Sequence, residues 1–200
     1  MMIGPVVNLL EVPPSELRFR TSSGRVSLDL VATIGERWRR RFERLRGPED
    51  LDRWCSTVGL PAAAAATPGD LQDVRTLRAA IEALAVAAME GRAYPEPAVT
   101  TVNDQAVRPD LAPWLTDEGS ELRPGSHDRV RSTVARDAVD LFGGPFARKV
   151  RECSADDCAL VYVDTTRGGT RRWCSMQACG NRTKVARHRG GPRTGREDGR

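Results

Sequence analysis

No stretch of about 18 apolar residues occurs in this chain, so nothing in it is expected to span a membrane. The opening MMIGPVVNLLEVPP has no basic leader, and Gly, Asn and Pro interrupt its short apolar run. No secretory signal is therefore expected, and the chain is read as cytoplasmic, where thiols stay reduced. Lysine is almost missing: Lys149 and Lys184 are the only two among 31 Lys+Arg residues. Arginine then carries nearly all the positive charge, as an alanine-rich protein from a GC-rich bacterial genome would show, so arginine abundance alone does not identify a nucleic-acid partner. Aromatic residues make up only 5% of the chain, and the 40% hydrophobic content is modest but sufficient for a core. No nucleophile or acid–base constellation stands out. His127 lies in a polar segment with no cysteine or serine partner in view, and it is expected to be an exposed histidine without a role. The chain is expected not to be an enzyme.

What is present is an uneven distribution of charge. From Ala147 onward there are 13 basic and 6 acidic residues; the preceding part has 18 basic and 21 acidic. A mildly acidic body thus carries a basic end. That asymmetry favours a polyanion partner at the C-terminus, although a solubilising tail fits the charge equally well. The 200 residues suit one domain with an appendage, or two small domains.

Hydrophobic spacing predicts a mostly helical body over residues 1–145. Residues 16–33 alternate around Ser23 and Gly24 and read as a short hairpin or an irregular entry. Val31, Ile34, Trp38, Phe42 and Leu45 recur at helical spacing, predicting a basic helix whose Arg37, Arg39, Arg40, Arg41 and Arg44 form a solvated face. A second helix follows Pro48, with Leu51, Trp54, Cys55 and Val58 inward and Gly59 at its close. Cys55 is read as a small core residue. PAAAAATPG is a connector. A long helix covers 70–90, with Leu71, Val74, Leu77, Ile81, Leu84 and Ala88 inward and Gly91 at its end. A short helix is predicted near 99–107, and two short strands over 111–123. A last body helix starts at Ser126 as its cap and runs to about 142. The fold class is mainly α: a multihelical N-terminal domain with short β-hairpins, then a C-terminal four-cysteine module of β-hairpin plus helix, treble-clef-like.

That module is carried by Cys153 and Cys158, then Cys174 and Cys179. Each pair is C-x4-C, and fifteen residues separate the pairs. Tetrahedral zinc takes four soft ligands from two bent segments, and this interval is usual between ligand pairs. Between them ALVYVD reads as a strand, TTRGGT as a turn and RRW as a returning strand. A helix after Cys179 would place its N-terminal dipole against the thiolates. Two disulfides, a redox pair or an iron–sulfur cluster are the alternatives. A redox pair is more often C-x-x-C, and hairpin-separated pairs favour zinc. A site filled by four protein ligands leaves no open position for substrate, so the metal is read as structural.

The run VYVDTTRGGTRRWCSMQACGNRTK resembles the CGNR zinc finger, whose Cys-Gly-Asn-Arg corresponds here to Cys179, Gly180, Asn181 and Arg182. The resemblance covers about residues 148–189. It implies that Cys153, Cys158, Cys174 and Cys179 hold one structural Zn²⁺. LDLVAT at 28–33, DLDRW at 50–54, DVRTLRAAIEAL at 73–84 and VARDAVDLF at 134–142 resemble the ABATE domain found before this finger in stress-induced transcription regulators. Ala32 stands where that family tends to have asparagine; Tyr162 and Thr166 depart mildly from the finger's phenylalanine and serine.

The expectation is a zinc-dependent DNA-binding transcription regulator whose body acts as a sensor of a small-molecule effector or as a homodimerisation domain. Arg167, Arg171, Arg172, Arg182, Lys184, Arg187 and Arg189 are the candidate phosphate contacts. Asn181 is expected to brace the knuckle and Trp173 to pack over the sulfurs. Residues 190–200 are expected to be a basic disordered tail. The alternative is a protein- or RNA-interaction module with a purely structural zinc site.

Overall fold

The structure is a computed structural model; it describes residues 12–36, 40–60, 62, 64–122 and 125–190, with no side-chain placement for 121, 122 and 187–190. Among these residues the chain is mainly helical, with three two-stranded antiparallel sheets.

The body is built on α3, Pro68–Glu90. Its start is written in the sequence: the Thr67 hydroxyl accepts from the Asp70 amide at 3.1 Å, the Asp70 carboxylate accepts from the Thr67 amide at 3.0 Å, and Pro68 opens the first turn. Gly91 ends it in a left-handed conformation, φ 64°, which glycine adopts without a Cβ penalty. Leu71, Val74, Leu77, Ile81 and Leu84 form the buried stripe, and Ala88 lies half-buried beside them. Each such aliphatic contributes about 1.5–3 kcal/mol on burial. Against this stripe pack α1 (Val26–Val31), α2 (Pro48–Thr57), α4 (Glu96–Ala106) and α5 (His127–Gly143). Ser126 is the residue before α5, as expected, but its hydroxyl makes no capping bond. The predicted pair of short strands is present as β3 (Trp114–Leu115) and β4 (Glu121–Leu122), turning at Gly119.

Two sequence expectations are corrected, and one open alternative is decided. The helix read through 31–45 is instead the end of α1 followed by β1 (Ile34–Gly35) and β2 (Phe42–Glu43), with Gly35 paired to Phe42. Apolar residues three and four apart also suit a tight hairpin, and Gly35 decides between the two. A Cβ there would lie 2.1 Å from the Phe42 ring, so the approach needs glycine. Glu36 and Arg41 take positive φ, which stops a helix. Trp38, Arg37 and Arg39 lie outside the described residues. The arginines that are described do not form a solvated face. Arg44 is buried, donates to the Glu16 and Ala32 carbonyls, and is held down to about 10 by burial. Arg40 is tied to Glu36 and Glu16.

Second, of the two alternatives for residues 16–33, the chain takes the irregular entry and not the hairpin. Gly24 turns the chain at φ 84°, and α1 starts at Val26. Asp29 of α1 accepts from the Ser23 amide at 3.2 Å and hydroxyl at 2.6 Å. Third, His127 is not exposed: it is buried at the start of α5, with Nε2 3.0 Å from Asp52 and 3.2 Å from the Ala64 carbonyl. Cys55 is a core residue, as read, and burial pushes its thiol up to about 12.

Two tests follow from this packing. Gly35→Ala is expected to cost about 1–3 kcal/mol in urea unfolding, because the added methyl overpacks against Phe42; in a helix it would have been stabilising. Burial raises Asp29 to about 6, so the folded state binds a proton that the unfolded state releases. Wild-type stability is therefore expected to gain an increment as pH falls through about 6 toward the ordinary carboxylate range. Denaturation of Asp29→Asn across that window is expected to lack it.

Candidate metal centre and the basic helix

The C-terminal module starts with one turn of 3-10 helix (Ala147–Lys149), then β5 (Val150–Glu152) and β6 (Val161–Val163), paired Val150 to Val163 and Glu152 to Val161. The loop of this hairpin carries the first cysteine pair. The Cys153 amide donates to the Leu160 carbonyl at 2.9 Å, and the Cys158 amide to the Ala155 carbonyl at 2.9 Å, so the chain is bent sharply between the two sulfurs. The second pair sits where a helix begins. The Ser175 hydroxyl accepts from the Ala178 amide, a turn of π-helix spans Met176–Gly180, and α6 continues over Asn181–Gly190. Helix after the last cysteine is as expected from the sequence.

The expected returning strand at 171–173 is absent among the described elements. The partner of β6 is β5, and the return is held by side chains instead of a ladder. Asp164 accepts from the Thr166 amide and hydroxyl, which hold its carboxyl below the usual range, and from the Arg171 amide at 3.0 Å. Tyr162 donates its hydroxyl to the Arg171 carbonyl at 2.5 Å. Gly169, φ 61°, closes the turn.

These elements bring all four sulfurs together, each within 4.8 Å of the others, and all four residues are buried. Zn–S bonds of about 2.3 Å in a tetrahedron place sulfurs roughly 3.8 Å apart. Cys158 and Cys174 are 3.8 Å apart, and Cys174 and Cys179 3.6 Å. That is metal-site spacing, well beyond a disulfide bond, and all five cysteines of the chain are free thiols. Four soft donors in a closed cluster fit one structural zinc ion, which fills its coordination with protein ligands alone. When bound, the metal supplies folding energy to a segment with little core of its own.

A tetrathiolate zinc centre carries net charge −2, and the surroundings answer it. The Cys174 amide donates to Cys153 Sγ at 3.4 Å, and Arg182 Nη2 to Cys179 Sγ at 3.4 Å. Sequence reasoning missed a third donor: Arg20, ahead of α1, reaches Cys158 Sγ at 3.5 Å. Nothing in local spacing links residues 138 positions apart. Trp173 packs against the sulfur cluster, as expected, and Gly180 lies under it and Met176. Asn181 is exposed at the start of α6.

The remaining candidate cations fall into distinct positions. Arg171 is turned inward. Its guanidinium donates to the carbonyls of Trp173, Val163, Ser22 and Cys174 and stacks 4.4 Å from the Tyr162 ring centroid. Arg182 is part-exposed and paired with Asp157 at 2.7 Å. Arg167, Arg172 and Lys184 are exposed, Arg172 over the Trp173 ring. The side chains of Arg187 and Arg189, and residues 191–200, lie outside the described part.

A helical body joined to a buried four-cysteine cluster defines a zinc-finger protein. Two family models match the chain: ABATE, described as "Putative stress-induced transcription regulator", over residues 24–145, and the CGNR zinc finger over 149–190. The chain belongs to the ABATE family and carries a CGNR finger. No curated protein matches it. Among the described residues, no helix is long and apolar enough to cross a membrane.

Zinc binds thiolates, so thiol protons held by these cysteines are released as the metal enters. Apparent zinc affinity, measured by chelator competition, is therefore expected to rise by at least about tenfold per pH unit between 6 and 8. A pH-independent affinity would contradict it.

Proposed function

We propose that the protein is a DNA-binding transcription regulator in which the zinc-held knuckle presents α6 to the phosphate backbone, and that it performs no catalysis. The observation that carries this reading is the make-up of α6. NRTKVARHRG contains no acidic residue, and its described side chains from Asn181 to Ala186 are exposed or half-exposed. Lys184, Arg187 and Arg189 on this helix, and Arg172 over the Trp173 ring, offer several cations on one short module. Each phosphate contact releases counterions and makes binding salt-dependent. The family description, a stress-induced regulator, supports the same reading. Arg171 has a different part in it: with four carbonyls to bind, it holds the return segment in place and leaves phosphate contact to its exposed neighbours.

Arg182 gives the alternative, a protein- or RNA-interaction module, its one specific support. Its pairing with Asp157 and Cys179 is the arrangement of a cation that balances the metal centre.

The test is duplex-DNA binding by the zinc-loaded chain across a salt series. Wild-type affinity is expected to fall linearly on a log–log plot. Lys184→Ala/Arg187→Ala is expected to weaken binding and flatten the slope by about 2, near 0.9 per lost contact. Failure of the zinc-loaded protein to bind at low salt would overturn the proposal.

A further inference from the structure

The hairpin β5–β6 has two faces, and they belong to different cores. Val150, Val161 and Val163 join the body's core with Leu28, Val31 and Ile81. Tyr162 and Leu160 join the four cysteines, and so does Ala32 from the end of α1. The finger is therefore packed into the body, and the seam between them runs along residues 20–23. These residues precede the ABATE match and lie outside both matched ranges.

Arg20, Ser22 and Ser23 of that segment are bonded across the seam. Arg20 Nη1 donates to Cys158 Sγ at 3.5 Å. The Ser22 carbonyl accepts from Arg171 Nη2 at 3.3 Å. The Ser23 carbonyl accepts from the Val163 amide at 2.9 Å. Ser23 then turns back into the body through Asp29, and the next residues, Arg25 and Ser27, bind Asp137 of α5. We infer that residues 20–23 are a strap coupling the zinc centre to the helical body, with Arg20 as the positioning residue that stabilises the metal-bound thiolate of Cys158.

The electrostatics of the cleft support this role. Arg20, Arg44 and Arg182 line a cavity of about 110 Å³ between body and finger, whose carboxylates are Glu16, Glu36 and Asp157. Glu16 and Glu36 are taken by Arg40, and Asp157 by Arg182. Among the described residues, no carboxylate forms an ion pair with Arg20 or Arg44; the two guanidiniums repel each other, and Arg44 is attracted by Glu16, Cys158 and Glu43. An arginine held beside a like charge needs a counter-charge, and the tetrathiolate zinc centre supplies it. A cationic N–H donor lowers the electron density on sulfur and fixes the Cys158 side chain, the task of an outer partner in a metal site.

The experiment measures zinc affinity of the full chain by competition with a chromophoric chelator, alongside melting with and without zinc. Arg20→Gln is expected to weaken zinc binding about 10–100-fold. It is also expected to narrow the gap between zinc-loaded and zinc-free melting temperatures. Arg20→Lys, which keeps the charge, is expected to recover part of the loss, and Arg18→Gln, an exposed neighbour, to bind zinc like wild type. In the cobalt-substituted protein, Arg20→Gln is expected to shift the sulfur-to-cobalt charge-transfer band to lower energy. Two results would overturn the inference. One is a folded Arg20→Gln chain that binds zinc as tightly as wild type. The other is a variant that lowers the zinc-free and zinc-loaded melting temperatures equally, which is the mark of a purely structural contact.

Discussion

Four sulfurs around one cation constrain everything in the last quarter of the chain. A metal that takes only protein ligands must be enclosed, so the chain has to bend twice and return both bends to one point. The bends use different means. Cys153 and Cys158 are delivered by the loop of a three-residue-per-strand hairpin. Cys174 and Cys179 are delivered by a turn that Ser175 starts and α6 continues. A charge of −2 in a buried place must also be met by donors, and this structure meets it with a backbone amide and two arginines. One of those arginines comes from the far end of the sequence. The metal centre thus draws Arg20, ahead of the first helix, and Arg182, on the last, into one contact network.

That network changes how the two family-matched parts relate. A bead-on-a-string finger would bury its own small core and touch nothing else. Here the period-2 alternation of β6 sends Val161 and Val163 into the helical body and Tyr162 toward the metal. A strand of three residues serves two cores, and neither core is closed without it. On the proposed reading, a regulator built this way needs no flexible linker to carry a change in the body to the DNA-facing helix; the hairpin and the strap already touch both.

Much of this was legible in the sequence because it is written in local chemistry. The apolar spacing from Leu71 to Ala88 announces α3 and Gly91 announces its end; its start, capped by Thr67 with Pro68 in the first turn, lies two residues ahead of the expected 70. The spacing of Cys153, Cys158, Cys174 and Cys179 and the run through Arg182 identified the metal site. What the sequence hid is non-local. Ile34, Phe42 and Leu45 satisfy a helical repeat and a hairpin equally; the choice rests on Gly35 meeting an aromatic ring. Arg44 looks like one more surface arginine, yet backbone carbonyls and the Phe42 ring make a buried place for it. His127 looks solitary because its partner, Asp52, lies on another helix. Arg171 and Arg20 carry the same charge as their neighbours, and only the assembled finger shows that one braces a turn and the other faces a thiolate.

The central claim is that the zinc-held finger is built into the body instead of appended to it. Hydrogen exchange on the zinc-loaded chain, repeated after the metal is stripped, tests this most directly. The account expects protection to be lost through residues 150–181 and also along residues 22–31, where the strap and α1 meet the finger. Loss confined to 150–181, with α1 as protected as before, would contradict it.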